Sequence, residues 1–196
     1  MPNGQMRIYA AALVGISLVA IGAALPLGAF FAGNGRTAEG LAFKGNVDIA
    51  LYDEFGVLKD ERHIDNLIVD AGVQGVASRL APHDGSINPT TPYNYIALGT
   101  GSTAVAAGDT ALAAELTAGP NYARLQDTTA QYSESTKKLV LSVTFAPGQG
   151  TGALRESGIF NAAAGGNMFA RQTFAEIQKA SGDTLTVTWT ITLTPS

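Results

Sequence analysis

The chain has 196 residues, 46% of them hydrophobic and only 14% charged, and its 12 Lys and Arg against 16 Asp and Glu give a net charge of −4. With no basic cluster past the N-terminus, nucleic acid is excluded as a partner, because a duplex binder needs grouped Lys and Arg to displace counterions. The absence of cysteine excludes disulfides, thiol catalysis and Cys-ligated zinc, and the scarcity of charge with 23 glycines favours strands and tight turns over exposed helices rich in Lys and Glu.

Residues 8–32 carry no charge, with Arg7 before them and Arg36 the next charged position. About 25 such residues rising ~1.5 Å each would span a bilayer, and a positive start before an apolar run is the pattern of a secretory signal. Pro26 ends the helix that begins near Ile8. Residues 1–32 therefore read as a signal peptide, with Gly22-Ala23-Ala24 as the better cleavage site, or as a retained membrane anchor. A buried core helix is disfavoured, since amphipathic spacing is missing. Both favoured readings send the remainder out of the cytoplasm, to a secreted or cell-surface location. Residues 33–45 are Gly-rich and polar and read as a linker or as a donor segment for a neighbouring subunit. Residues 46–196 read as a β-sandwich domain.

Within that domain, residues 46–53 alternate, with Val47, Ile49 and Leu51 on one face. Gly56 supplies the hairpin turn, and a second strand is expected over 57–69. Asp70 is placed to cap a short helix running to Leu80, with Val69, Val73, Val76, Ala77 and Leu80 at helical spacing. After a Pro-rich loop over 81–92 come a short strand at 93–98 and a short helix around Thr110, then an exposed strand at 123–133. Leu139, Leu141, Val143 and Phe145 alternate in the next strand, and residues 154–160 and 168–174 form a pair around Gly165-Gly166. The last strand is the clearest: Leu185, Val187, Trp189, Ile191 and Leu193 face one way and Thr184 to Thr194 the other at every second position. The expected class is mainly β, a β-sandwich of jelly-roll-like or Ig-like form with one or two short helices, preceded by the hydrophobic N-terminal helix.

The run Tyr95-Ile96-Ala97-Leu98-Gly99-Thr100-Gly101-Ser102, then Asp109-Thr110-Ala111-Leu112, Glu115 and Arg124, resembles phage tail and tail-fibre proteins. The resemblance continues through Glu156-Ser157-Gly158-Ile159-Phe160-Asn161, Met168-Phe169-Ala170-Arg171 and the Trp189 strand, and begins at Asn66-Leu67-Ile68-Val69-Asp70-Ala71-Gly72. It implies a structural β-domain in an assembly; it does not imply an enzyme. The hydrophobic N-terminus departs from that pattern, so a host-encoded surface protein or filament subunit is the better fit.

Glu115, Arg124, Glu156 and Arg171 stand among small or apolar residues. They form either a ligand or catalytic cluster or, the favoured reading, ion pairs that fix strand register, Glu156 with Arg171 among them. His63 and His83 are too few for zinc. Asp53-Glu54 and Asp60-Glu61 could offer oxygens to calcium but lack EF-hand spacing, and a solvated turn is the favoured reading. Gly99-Thr100-Gly101 lacks the Lys of a phosphate loop, and no nucleophile elbow or zinc-protease motif is present. No cofactor is expected. The resulting expectation is a structural subunit of an extracellular filament or virion-like surface assembly that polymerises with itself, with residues 33–51 as strand donor and Val47, Ile49 and Leu51 in the subunit contact. The alternative is a monomeric surface-anchored adhesin or carbohydrate-binding module using Tyr93, Asn94 and Tyr95.

Overall fold

A computed structural model of the chain describes residues 41–79 and 91–195. The segment read as a signal or anchor (1–32), most of that read as a linker (33–45), Leu80 and His83 lie outside the described residues. The fold is mainly β: β1 (Leu41–Tyr52), β2 (Leu58–Asp65), β3 (Leu67–Ile68), helix α1 (Asp70–Ala77), β4 (Tyr95–Gly99), a 3-10 turn (Pro120–Tyr122), β5 (Leu125–Gln126), β6 (Gln131–Ser133), β7 (Lys138–Phe145), β8 (Gly152–Phe160), β9 (Met168–Lys179) and β10 (Thr184–Pro195). They form two antiparallel five-stranded sheets, ordered β2-β1-β10-β7-β6 and β3-β9-β8-β4-β5. The pairs nest: β1 with β10, β3 with β9, β4 with β8, β6 with β7.

The alternating strands put one apolar face between the sheets. Val47, Ile49 and Leu51 of β1 sit opposite Trp189, Val187 and Leu185 of β10. These pack with Leu141 and Phe145 from their own sheet and with Ile96, Leu154, Ile159, Phe169 and Ile177 from the other. Each such side chain contributes up to about 1.5–3 kcal/mol by burial. The Thr face of β10 is half-buried, and Thr188 and Thr186 exchange hydroxyl hydrogen bonds with Ser142 and Thr144 at 2.8 and 3.1 Å.

Several expected elements are corrected. β1 begins at Leu41, inside the stretch read as linker, because residues 41–45 pair with Pro195 to Ile191 of β10. The single strand expected over 57–69 is two: the chain changes sheets at Asn66, whose N–H bonds the Gly45 carbonyl at 3.0 Å. Gly45 leaves room there for the Asn66 side chain, whose amide a Cβ would press aside. Val69, not Asp70, is the N-cap of α1, and no side chain caps it; Asp70 is the first helical residue. The helix rests on Ala71, Gly72 and Gly75, while Val73 points to solvent. Gly72 lies against the Phe169 carbonyl, too close for any side chain. The helix expected around Thr110 is absent, and the strand expected over 123–133 is broken between β5 and β6, which lie in different sheets. Among the described residues no helix is long and apolar enough to cross a membrane.

Candidate functional site

The irregular segment 100–124 joins β4 to β5 and carries Glu115 and Arg124, two of the four charged residues singled out above. Its shape is dictated from β8 and β9. Glu156 is fully buried. Its carboxylate accepts the backbone N–H groups of Gly101 (3.1 Å), Ala113 (3.0 Å) and Ala114 (2.7 Å). A helix around Thr110 would have turned the last two N–H groups toward carbonyls four residues back; here they are aimed at Glu156. Gly99 and Gly101 make room for the carboxylate, because a Cβ on either would approach Glu156 Oε1 to 2.5 Å. The glycine pair that resembles a fragment of a phosphate loop is thus clearance for an acidic side chain of the same fold.

Arg171, also buried, completes the network. It donates from Nε to Glu156 at 2.9 Å, from Nη1 to Asp109 at 2.7 Å and from Nη2 to the Thr103 carbonyl at 3.0 Å. Burial alone would raise the Asp109 carboxyl, but the Ala106 N–H and Arg171 outweigh it and hold it below the usual carboxylate range. Burial likewise opposes the Arg171 charge, and Asp109 and Glu156 more than offset this and raise its pKa.

Arg124 forms the second network. Its guanidinium grips Glu115 with two parallel bonds of 2.6 and 2.9 Å, donates to the carbonyls of Ala162 and Gly165, and lies 3.5 Å from the centre of the Phe160 ring. So Glu156 pairs with Arg171 and Glu115 with Arg124, in two separate networks fastening one segment. Asp109, which the sequence reading placed only inside a motif, is the third member of the first.

Three other groups went unremarked in the sequence. Asp127 bridges the edges of the two sheets: its carboxylate accepts from Thr129 N–H and hydroxyl and, at 2.8 Å, from Ser142 N–H of β7. That turn is what breaks the strand expected over 123–133. Lys179, fully buried, donates to the Ala146 and Asp183 carbonyls, while Lys59 pairs with the Asp183 carboxylate at 2.7 Å. These bonds tie the turns at 146–151 and 180–183 to the start of β2. Burial lowers the Lys179 pKa, against the pull of Asp183.

The third is an apolar cleft of about 410 Å³ between the sheets, at the end of the sandwich where β1 begins. Phe43, Tyr93, Leu139, Phe169, Ile191 and Leu193 line much of it. Tyr93 stacks obliquely on Phe169, with ring centres 5.2 Å apart. Tyr93 and Asn94, two of the three residues named for a ligand-binding loop, reach this cleft; Tyr95 instead packs beside Val69 and Phe160. The Tyr93 hydroxyl and Asn94 Oδ1 are buried without a hydrogen-bond partner among the described residues. Val47, Ile49 and Leu51 lie elsewhere, 0%, 1% and 3% exposed in the chain's own core.

His63 pairs with Asp48 across β1 and β2 at the surface, and Asp60 pairs with Arg62. Asp53 closes the β1–β2 turn by accepting the Phe55 and Val57 N–H groups at 2.9 and 2.8 Å. Among the described residues no group of three or more His, Asp or Glu is placed to hold a metal ion. No family model, no curated protein and no solved structure matches the chain.

Proposed function

We propose that this protein is a non-catalytic structural subunit, exported by its N-terminal segment and built into an extracellular filament or virion-like surface assembly. The observation that carries the reading is the use made of the buried charges. Glu156, Arg171, Asp109, Glu115 and Arg124 bond one another and the backbone of segment 100–124. Such networks rigidify a surface at a cost in desolvation, which suits a subunit that must present a fixed shape. The resemblance to phage tail and tail-fibre proteins points the same way, since the charged members of these networks are among the residues that carry it. The nested pairing of β1 with β10 and β3 with β9 favours a jelly-roll-like over an Ig-like sandwich.

Strand donation by residues 33–51 is the less economical linkage. β1 pairs on both sides with its own chain and buries Val47, Ile49 and Leu51, so donating it would exchange a whole central strand. A contact between surfaces leaves the fold intact. A second reading, a monomeric surface-anchored adhesin or carbohydrate-binding module, is favoured by the cleft that Tyr93 and Asn94 reach. Electron microscopy and sedimentation of the purified full chain separate the two. Regular polymers are expected; dispersed monomers at every concentration would overturn the subunit reading.

A further inference from the structure

The cleft lies at one end of β1, and the opposite end carries an apolar projection. In the β1–β2 turn and just after it, Phe55, Val57 and Leu58 are 83%, 60% and 47% exposed. Three large apolar side chains in four positions, held out by a turn that Asp53 closes, are costly in water and mark a contact surface. The cleft offers the complementary shape, a half-open apolar hollow of a size suited to burying an aromatic anchor.

Charge agrees with shape. Residues 53–58 contain two carboxylates, Asp53 and Glu54, and no base. The cleft end exposes Lys44, Lys137, Lys138 and Arg79 against Glu134 and Asp65, and the one carboxylate in the cleft wall, Asp127, is engaged by Thr129 and Ser142. Lys44 and Lys138 flank Thr192 of β10 on the outer face of its sheet, one position along from Phe43, Leu139 and Leu193 of the cleft wall. Arg79 is close enough to Tyr93 to bear on its hydroxyl.

Because β1 separates the projection from the cleft, the two cannot meet within one molecule. We infer that they meet between copies: Phe55, flanked by Val57 and Leu58, seats in the cleft of a second copy of this chain, with Glu54 toward the basic end of that copy. Such a contact uses two different surfaces, so it leaves a free projection at one end and a free cleft at the other and propagates head to tail. The 12 residues of β1, at ~3.3 Å each, set an axial repeat of about 40 Å. This inference rests on the structural-subunit reading and specifies its contact.

The test uses the full chain in three forms: wild type, Phe55→Ser, and an equimolar mixture of Val57→Cys with Leu139→Cys, which keeps the Phe55 anchor, the parent having no cysteine. Phe55→Ser is expected to raise the concentration needed for sedimentable polymer at least tenfold while its thermal unfolding matches wild type. The mixed cysteine variants, treated with a bis-maleimide, are expected to give covalent dimers that neither variant gives alone. Phe55→Ser polymers at the wild-type concentration, or polymers of the mixed variants without cross-linking, would overturn this contact and leave the subunit reading standing. Wild-type chain that never polymerises would sink both.

Discussion

Replacing Glu156 by Gln tests whether segment 100–124 is shaped from β8. Gln keeps the volume and one carbonyl oxygen, which can still receive the Gly101 and Ala114 N–H groups that Oε1 receives now. Its amide nitrogen then replaces Oε2, and hydrogens face the Ala113 N–H and the Arg171 guanidinium, both donors. Arg171 keeps Asp109 and the Thr103 carbonyl. Breaking a buried pair outright costs about 3–5 kcal/mol, and each stranded donor about 1–3. With half the acceptor retained, a loss of about 3 kcal/mol is expected, a large part of a total of about 5–15.

Urea unfolding reports this through Trp189, which is fully buried and donates to Ser157, the residue after Glu156, at 3.3 Å. The midpoint should fall with the slope unchanged, and the melting temperature should drop by about 6–12 °C. Hydrogen exchange at the Ala113 amide should accelerate more than at the amides of β10. Arg171→Met should lose stability too, and the double variant should fall short of the sum by about 1 kcal/mol or more, as coupled sites do. A Glu156→Gln protein within about 1 kcal/mol of wild type, with Ala113 equally protected, would refute the account.

Gly72→Ala should destabilise by about 1–3 kcal/mol, although Ala is the better helix former by about 1 kcal/mol; a Cβ there meets the Phe169 carbonyl, a backbone group that cannot swing aside. Thermal melts decide the sign, and a stabilised variant would show that α1 is free to shift on β9. Acid should destabilise the fold through Asp183, Asp127 and Asp109. Lys59 chiefly holds Asp183 low, while backbone and side-chain donors outweigh burial at the other two. Their folded pKa values lie below the ordinary 3.8, so the stability they contribute is fully present above that value and is lost as pH falls below it through the folded values. Unfolding free energies measured from pH 5 down to 2 should decline accordingly, and a flat profile would count against these bonds. His63 acts in the opposite sense: Asp48 raises its pKa above 6.5, so its contribution is present below 6.5 and disappears as pH rises through the raised value.

The strands that alternate with period two, β1, β7 and β10, were legible because each has one face in the core, and the alternation of Leu185, Val187, Trp189 and Ile191 records that directly. What was illegible depends on side chains distant in the sequence. Ala and Leu around Thr110 have helical propensity, yet Glu156, more than 40 positions away, takes the N–H groups that a helix would use. The polar run 123–133 has the look of one exposed strand, but Asp127 folds it across the seam between sheets by binding Ser142 of β7. The helix at Asp70 was legible as a helix and not as a packing unit, since its buried face is made of Ala71, Gly72 and Gly75. Glycine leaves no hydrophobic stripe to read. The charged pairs could be suspected, because a charge amid small residues must find a partner, but their assignment required the register of β8 against β9, where bulges occur between Leu154 and Glu156 and between Ile159 and Phe160.

The same networks tie together residues scattered widely in the sequence. Gly99 and Gly101 have to be small because Glu156 is charged and close. Glu156 has to be charged because it meets three N–H groups and Arg171. Asp109 answers the remaining side of Arg171, and Arg124 is held over Phe160 by Glu115 together with the Ala162 and Gly165 carbonyls. Changing any one of these leaves a buried charge or donor without its partner, at a cost that is a sizeable share of the fold's stability. Phe55 is under no such constraint. It is 83% exposed, its backbone is bonded only within its turn, and it could become polar without loss to the isolated chain, which is what makes Phe55→Ser a clean test of the inferred contact.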